Sequence, residues 1–358
     1  MKKLIEFELR KIFSKRLTQT ALILILLLSI FLGFSGYQNK YAFDGKSLEE
    51  TGKLAVEIDK KIAAKYSGPL TDEKIQQMMS DFKPKSDLHG MNAVYLYQNA
   101  MQSAVFAHFS DINGNWNGLH VSDVFGDEKI NIGYIDGWLS TSETMAKVFL
   151  VLSFIIIITI APVFCSEYSG IDNIILTSKY GRTKCGTAKT TASIIAVFII
   201  TLLVTSLNFL IAFLLYGSDG LDCSILFAPL IYTEGYIPFN ITCSTLFKYQ
   251  FLLAFTGTIS VAGITLPISA ISKNQMTALV TAAAIYFLPA ILPISETNPL
   301  FRLIGLFPLY HAQFISLMSI EQMNNGLLYA IWTVPAALIF IGIGVFASYK
   351  IFAKHQVL

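Results

Sequence analysis

Apolar runs set the rhythm of this chain, and polar stretches divide them. The runs fall at about residues 18–36, 145–164, 190–216, 246–271, 276–293 and 326–349. Each is close to the ~20 residues that a helix needs to cross a bilayer, so the pattern predicts six transmembrane helices. Prolines at 162, 267, 289, 293 and 335 put breaks in four of the six. Such breaks serve moving bundles, and irregular packing explains them equally well.

The polar stretches carry patterns of their own. In residues 1–17, Ile5, Leu9, Ile12 and Phe13 fall at helical spacing among Lys2, Lys3, Arg10, Lys11, Lys15 and Arg16. That is the pattern of an amphipathic helix lying on a membrane surface. The alternative is the basic start of a signal peptide with Gly33-Phe34-Ser35 as its cleavage site. Glu6, Glu8 and the length of the apolar run argue against it.

Residues 37–145 form the one large polar block. Leu54, Ile58, Ile62 and Tyr66 predict a helix, Gly68-Pro69 breaks it, and Thr71 caps a second. Residues 92–109 predict a third. Beyond Ser110, glycines punctuate short apolar pieces at 119–125 and 130–135, which read as loops or short strands. Trp138 suits an interfacial aromatic belt. Between the third and fourth runs, residues 217–245 hold Pro229 and Pro238 among apolar residues, which predicts a segment dipping into the membrane surface. Residues 298–314 are apolar but broken by Pro299, Gly305 and Pro308, which reads as a re-entrant hairpin.

Composition fits this picture. Of the 358 residues, 54% are hydrophobic and 14% charged, with mean hydropathy +0.57. Soluble domains run near a quarter charged, so the chain reads as an all-α polytopic membrane protein. Thirteen Lys and Arg fall in four short pieces: residues 1–17, 165–189, Lys273 and the tail 350–358. The loops 217–245 and 295–325 hold only Arg302. By the positive-inside rule both termini face the cytoplasm of a cell membrane, and 37–145 is an α-rich exoplasmic domain between the first and second spans.

The sequence lacks several kinds of chemistry. No Asp, Glu, Lys, Arg or His occupies the centre of any span, which disfavours a carrier driven by an ion gradient. H-E-x-x-H and G-x-S-x-G are missing, and residues 181–186 begin like a phosphate loop but have Thr187 where the motif needs Lys. His89, His108 and His120 lack ligand spacing, so no metal is expected. Cys165 and Cys185 fall on the reducing side, whereas Cys223 and Cys243 bracket an exoplasmic loop and form a possible disulfide.

Residues 165–189 are the main cytoplasmic segment between spans. Within them, residues 170–176 read as a short helix with Ile171, Ile174 and Ile175 on one face, flanked by Glu167 and Arg182. An apolar face with charges at its rim suits docking into a groove; an ordinary solvated loop fits the turn and charge signals equally.

Glu167, Gly170, Leu176, Arg182 and Lys189 follow the order seen in ABC-2 type transporter permeases, the membrane subunits of ATP-binding-cassette exporters. The chain resembles that family along its whole length, including the basic N-terminal helix and the broken 298–314 segment. It departs at Ser178-Lys179-Tyr180-Gly181, where the family commonly has Pro and a small hydroxyl residue before the Arg. The resemblance implies a transport subunit that is not itself an enzyme and binds no cofactor. It further implies a separate ATPase subunit carrying ATP and Mg, and a second permease copy or paralogue as partner. Membrane lipid is a further partner and nucleic acid is not. It makes Glu167, Gly170, Ile171, Ile174, Ile175 and Arg182 the coupling segment, and export of a peptide antibiotic, lipid or drug the activity. The competing class is a non-transporting scaffold or sensor whose exoplasmic domain binds a partner.

Overall fold

A computed structural model describes residues 1–85, 87–168, 181–233, 239–292, 298, 300–311 and 326–354. The chain starts with helix α1 (Lys2–Ser14), turns at Lys15, whose backbone is extended, and continues as α2 (Arg16–Gln38). The turn splits the surface helix from the first apolar helix where the sequence changes from basic to apolar. After the polar domain come α6 (Asp136–Ile160), α7 (Gly186–Tyr216), α8 (Cys243–Ile271), α9 (Gln275–Ile291) and α10 (Gly326–Lys354).

Among the described residues five helices are long and apolar enough to cross a membrane, and the chain is a multi-pass membrane protein by that measure. The expected fifth span, 276–293, corresponds to α9, whose 17 residues reach about 26 Å at 1.5 Å per residue. Their burial distinguishes the helices. In α6 and the short helix Pro162–Cys165 that follows it, 78% of the most apolar stretch is buried, against 22% in α2 and α10. The central helix is therefore α6, while α2 and α10 turn Leu24, Phe31, Leu338 and Phe346 outward.

Pro162 ends α6 at Ile160, as its position in the sequence predicts, because it offers no N–H to the preceding turn. Helix α6 starts at Asp136, nine residues earlier than the apolar run implies. Its first turns are covered by protein: Trp138 is fully buried between Phe209 and Phe247, and its Nε1–H donates to the Asp219 carbonyl at 2.8 Å. Trp138 is thus a packed core residue in place of the expected belt residue.

Helices α8 and α10 meet backbone to backbone. A Cβ at Gly344 would lie 2.1 Å from the Gly263 carbonyl oxygen, and one at Gly263 would lie 2.5 Å from the Phe340 carbonyl. Small residues permit such approaches between apolar helices.

The domain is built from α3 (Gly52–Tyr66), α4 (Asp72–Asp81) and α5 (Ala100–Phe109), with the two-stranded pairs β1 (Tyr41–Phe43) with β2 (Glu49–Thr51) and β3 (Gly68–Pro69) with β4 (Asn131–Ile132). The Thr71 hydroxyl caps α4, accepting from the Lys74 N–H at 3.4 Å. The expected helix over 92–109 is shorter. Asn92 caps a single 3-10 turn (Ala93–Tyr95), and Asn99 then restarts the helix by accepting from the Gln102 N–H at 2.8 Å. Asn favours such caps over helix interiors.

Residues 217–233 and 239–242 pack on this domain. Lys60 pairs with Asp219 at 2.9 Å, and the Leu230 N–H donates to Ser103 Oγ at 2.9 Å. Gly220 fits under the Tyr134 carbonyl with φ +82°, where a Cβ would come within 1.8 Å of that oxygen. Ser224 and Thr242 form an antiparallel bridge that sets Cys223 opposite Cys243, with the Cys243 N–H donating to the Cys223 carbonyl at 3.0 Å. Both cysteines are buried free thiols, so the possible disulfide is not formed in this structure. Burial pushes the Cys223 thiol up to about 12.

Candidate functional site

Glu167, which the sequence pattern places at the rim of a docking helix, lies instead inside an ionic cluster and is 3% exposed. Three elements bring the cluster together. Helix α1 contributes Glu8 and Lys11, the residues just after α6 contribute Glu167, and the first turn of α7 contributes Lys189. Lys189 Nζ stands 2.7 Å from Glu167 Oε1 and 3.2 Å from Glu8 Oε2, and it donates to the Val163 carbonyl at 3.2 Å. Lys11 pairs with the same Glu167 oxygen from the other side.

The local chemistry of helix ends explains the placement. The last carbonyls of a helix lack partners and attract cations. Here Lys189 takes the Val163 carbonyl, and Lys15 takes the Pro162 carbonyl at 3.2 Å and Ser166 Oγ at 3.3 Å. Burial by itself would raise the Glu167 carboxyl, but Lys189 and Lys11 outweigh it and hold it below its ordinary value. Lys15 moves the other way. Burial, then Lys11 and Lys189, lower its ammonium to about 8.

Arg182 belongs to a neighbouring joint. It sits in a single π-helical turn (Gly181–Cys185) ahead of α7, and its guanidinium donates to the Ala353 carbonyl at the end of α10 at 2.9 Å. Phe164 and Phe352 pack with ring centres 5.2 Å apart and planes tilted by 53°, and Gly186 keeps close contact with Phe352. Tyr168 donates its hydroxyl to the Ala270 carbonyl at 2.9 Å. Both ends of segment 169–180 are therefore fixed to the bundle, one through Glu167 and Tyr168, the other through Arg182 and Lys189.

Gly170, Ile171, Ile174 and Ile175 lie outside the described residues. Sequence reasoning missed Lys11 as a partner of Glu167 and Glu8 as the second carboxylate on Lys189. Glu8 did carry a signal, since it falls on the apolar stripe of α1 between Ile5 and Ile12, where a solvated charge is out of place.

The arrangement binds helices together. Among the described residues, no group of three or more His, Cys, Asp or Glu gathers that could hold a metal ion. No family model matches the chain, and no curated protein matches it either.

Proposed function

We propose that this chain is the membrane-spanning permease subunit of an ATP-driven exporter, moving a hydrophobic or amphipathic substrate outward with energy from a separate ATPase subunit. The observation that carries the reading is the buried cluster of Glu8, Lys11, Glu167 and Lys189. It ties the basic surface helix to the roots of two apolar helices, on both sides of the short segment that resembles a coupling helix. A push on that segment would reach α1, α6 and α7 together. In this reading six spans place both termini in the cytoplasm of the cell membrane and the 37–145 domain outside.

The test is purification of the tagged chain from its native membrane, followed by mass spectrometry and an ATPase assay. A co-eluting subunit with a phosphate loop and ATP hydrolysis is expected. Truncating a desolvated apolar anchor costs more than ~1 kcal/mol, so Ile174→Asp or Ile175→Asp should release that subunit. A stable purified chain with no ATPase, and with an exoplasmic protein bound to the domain, would overturn the proposal in favour of a scaffold.

A further inference from the structure

A second ionic cluster lies where the polar domain meets the bundle, and its charges do not balance. Lys40 follows α2, Asp59 sits on α3, and Asp136 is the first residue of α6. Asp59 is 2% exposed and Asp136 is fully buried. Lys40 pairs with Asp136 Oδ2, and its ammonium lies 3.4 Å from the Tyr232 hydroxyl. Asp59 Oδ1 accepts the Ala100 N–H at 3.0 Å. Among the described residues, Asp59 Oδ2, Asp136 Oδ1 and the Tyr134 hydroxyl have no hydrogen-bond partner.

Two buried carboxylates thus lie near one ammonium, which pairs with Asp136 and only attracts Asp59. A buried carboxylate without a partner is costly, and two that share a site cannot both stay ionised cheaply. Beside Asp59 and Tyr134 lies a cavity of about 10 Å³, which also touches Ala100, Gly133 and Phe227. That is room for about one water, and too little for a hydrated metal ion.

We propose that this cluster is a proton-binding site, in which one exchangeable proton held by Asp59 fastens the domain to the bundle. The proton would supply the missing positive charge and turn Asp59 Oδ2 into a donor. Asp136 Oδ1 and the Tyr134 hydroxyl oxygen are acceptors still unused among the described residues, and Tyr134 lines the same cavity as Asp59.

The surroundings agree. Burial, and then the Asp136 carboxylate, push the Asp59 carboxyl up to about 8, against the opposing pull of the Ala100 N–H and Lys40. Burial and the two carboxylates raise the Tyr97 and Tyr134 phenols above their ordinary value, so both stay neutral. Other nearby groups are engaged elsewhere. Lys60 faces Asp219 and the Tyr134 ring, Tyr37 faces Glu57, and Tyr41 faces Glu49.

The sign of the effect follows from linkage. A carboxyl raised on folding adds stability that is complete below its unfolded value, near 3.8, and is lost as pH rises to about 8. Asp59→Asn mimics the protonated side chain and should remove this dependence. The test uses the purified full chain in lipid discs. Infrared difference spectra should show a protonated carboxylic acid that disappears near pH 8 in the wild type and is absent in Asp59→Asn. Glu143→Gln, on an exposed pair with Lys147, should keep it. Amide exchange of α3 reads the same site independently. The ratio of wild-type to Asp59→Asn opening should grow up to about tenfold per pH unit between about 5 and 8, then level off. A carboxylic-acid band unchanged in Asp59→Asn, a flat exchange ratio, or a response to sodium at constant pH would overturn the proposal.

Discussion

The two buried ionic clusters of this protein solve opposite accounting problems. At the α1 end, Glu8 and Glu167 meet Lys11 and Lys189, and every carboxylate has an ammonium against it. At the domain end, Lys40 pairs with Asp136, and Asp59 has no ammonium against it among the described residues. In the first cluster Lys189 and Lys11 hold Glu167 below its ordinary value, so this joint should keep its strength across the neutral pH range. The second depends on a group that titrates there. Similar residue types at similar depth therefore give a permanent joint in one place and a conditional joint in the other.

The sharpest way to break the contrast is to remove one lysine from each. Lys189→Met leaves two buried carboxylates short of a partner and should cost about 3–5 kcal/mol, the usual penalty for breaking a buried pair. Loss of thermal stability in lipid discs, or of expression, reports it. Adding Glu8→Gln should restore part of that loss, because Glu8 is the carboxylate left without an ammonium, whereas Glu167 keeps Lys11. Lys40→Met should destabilise less at low pH, where protons can take the place of the ammonium, and more as pH rises toward 8. Thermal melts at about pH 5 and pH 8 give the comparison, and a pH-independent penalty would make the two clusters alike.

Smaller effects sharpen the picture at its edges. Lys60→Ala removes a pair with a mostly exposed Asp219 and should cost at most about 1 kcal/mol. Lys147→Ala loses only an exposed i,i+4 partner and should stay within about 0.5 kcal/mol of wild type. If Lys147→Ala matched Lys189→Met in melting temperature, burial would not be what distinguishes these pairs.

Much of the helical frame was legible in the chain, because hydropathy and helix breakers act locally. The ends of α7 at Tyr216 and of α8 at Ile271, the Pro162 break and the Thr71 cap all follow from neighbouring residues. The start of α6 did not follow, since its polar first turns are stabilised by the domain and by residues 217–233, which pack on it from far along the chain. The candidate site was half legible. Glu167, Arg182 and Lys189 stood out by resemblance, yet the partner Lys11 lies 156 residues from Glu167, and no local pattern pairs them. Asp59 had a quiet signal: it sits on α3 one turn from Ala55 and from Ala63, both buried. A charge on an apolar stripe marks both Glu8 and Asp59, and in both cases the structure supplies the reason.

The contact between Gly263 and Gly344 has a mechanical meaning for the bundle. With backbone against backbone at this crossing, no side chain there can yield, so sliding α8 past α10 would first require prising them apart at that point. The pair behaves as a single stiff beam. Arg182 grips that beam at its tip, through the Ala353 carbonyl, nine residues beyond Gly344. A tug on the turn ahead of α7 is therefore delivered to two helices at once, with α10 as the handle and the glycine crossing as the weld.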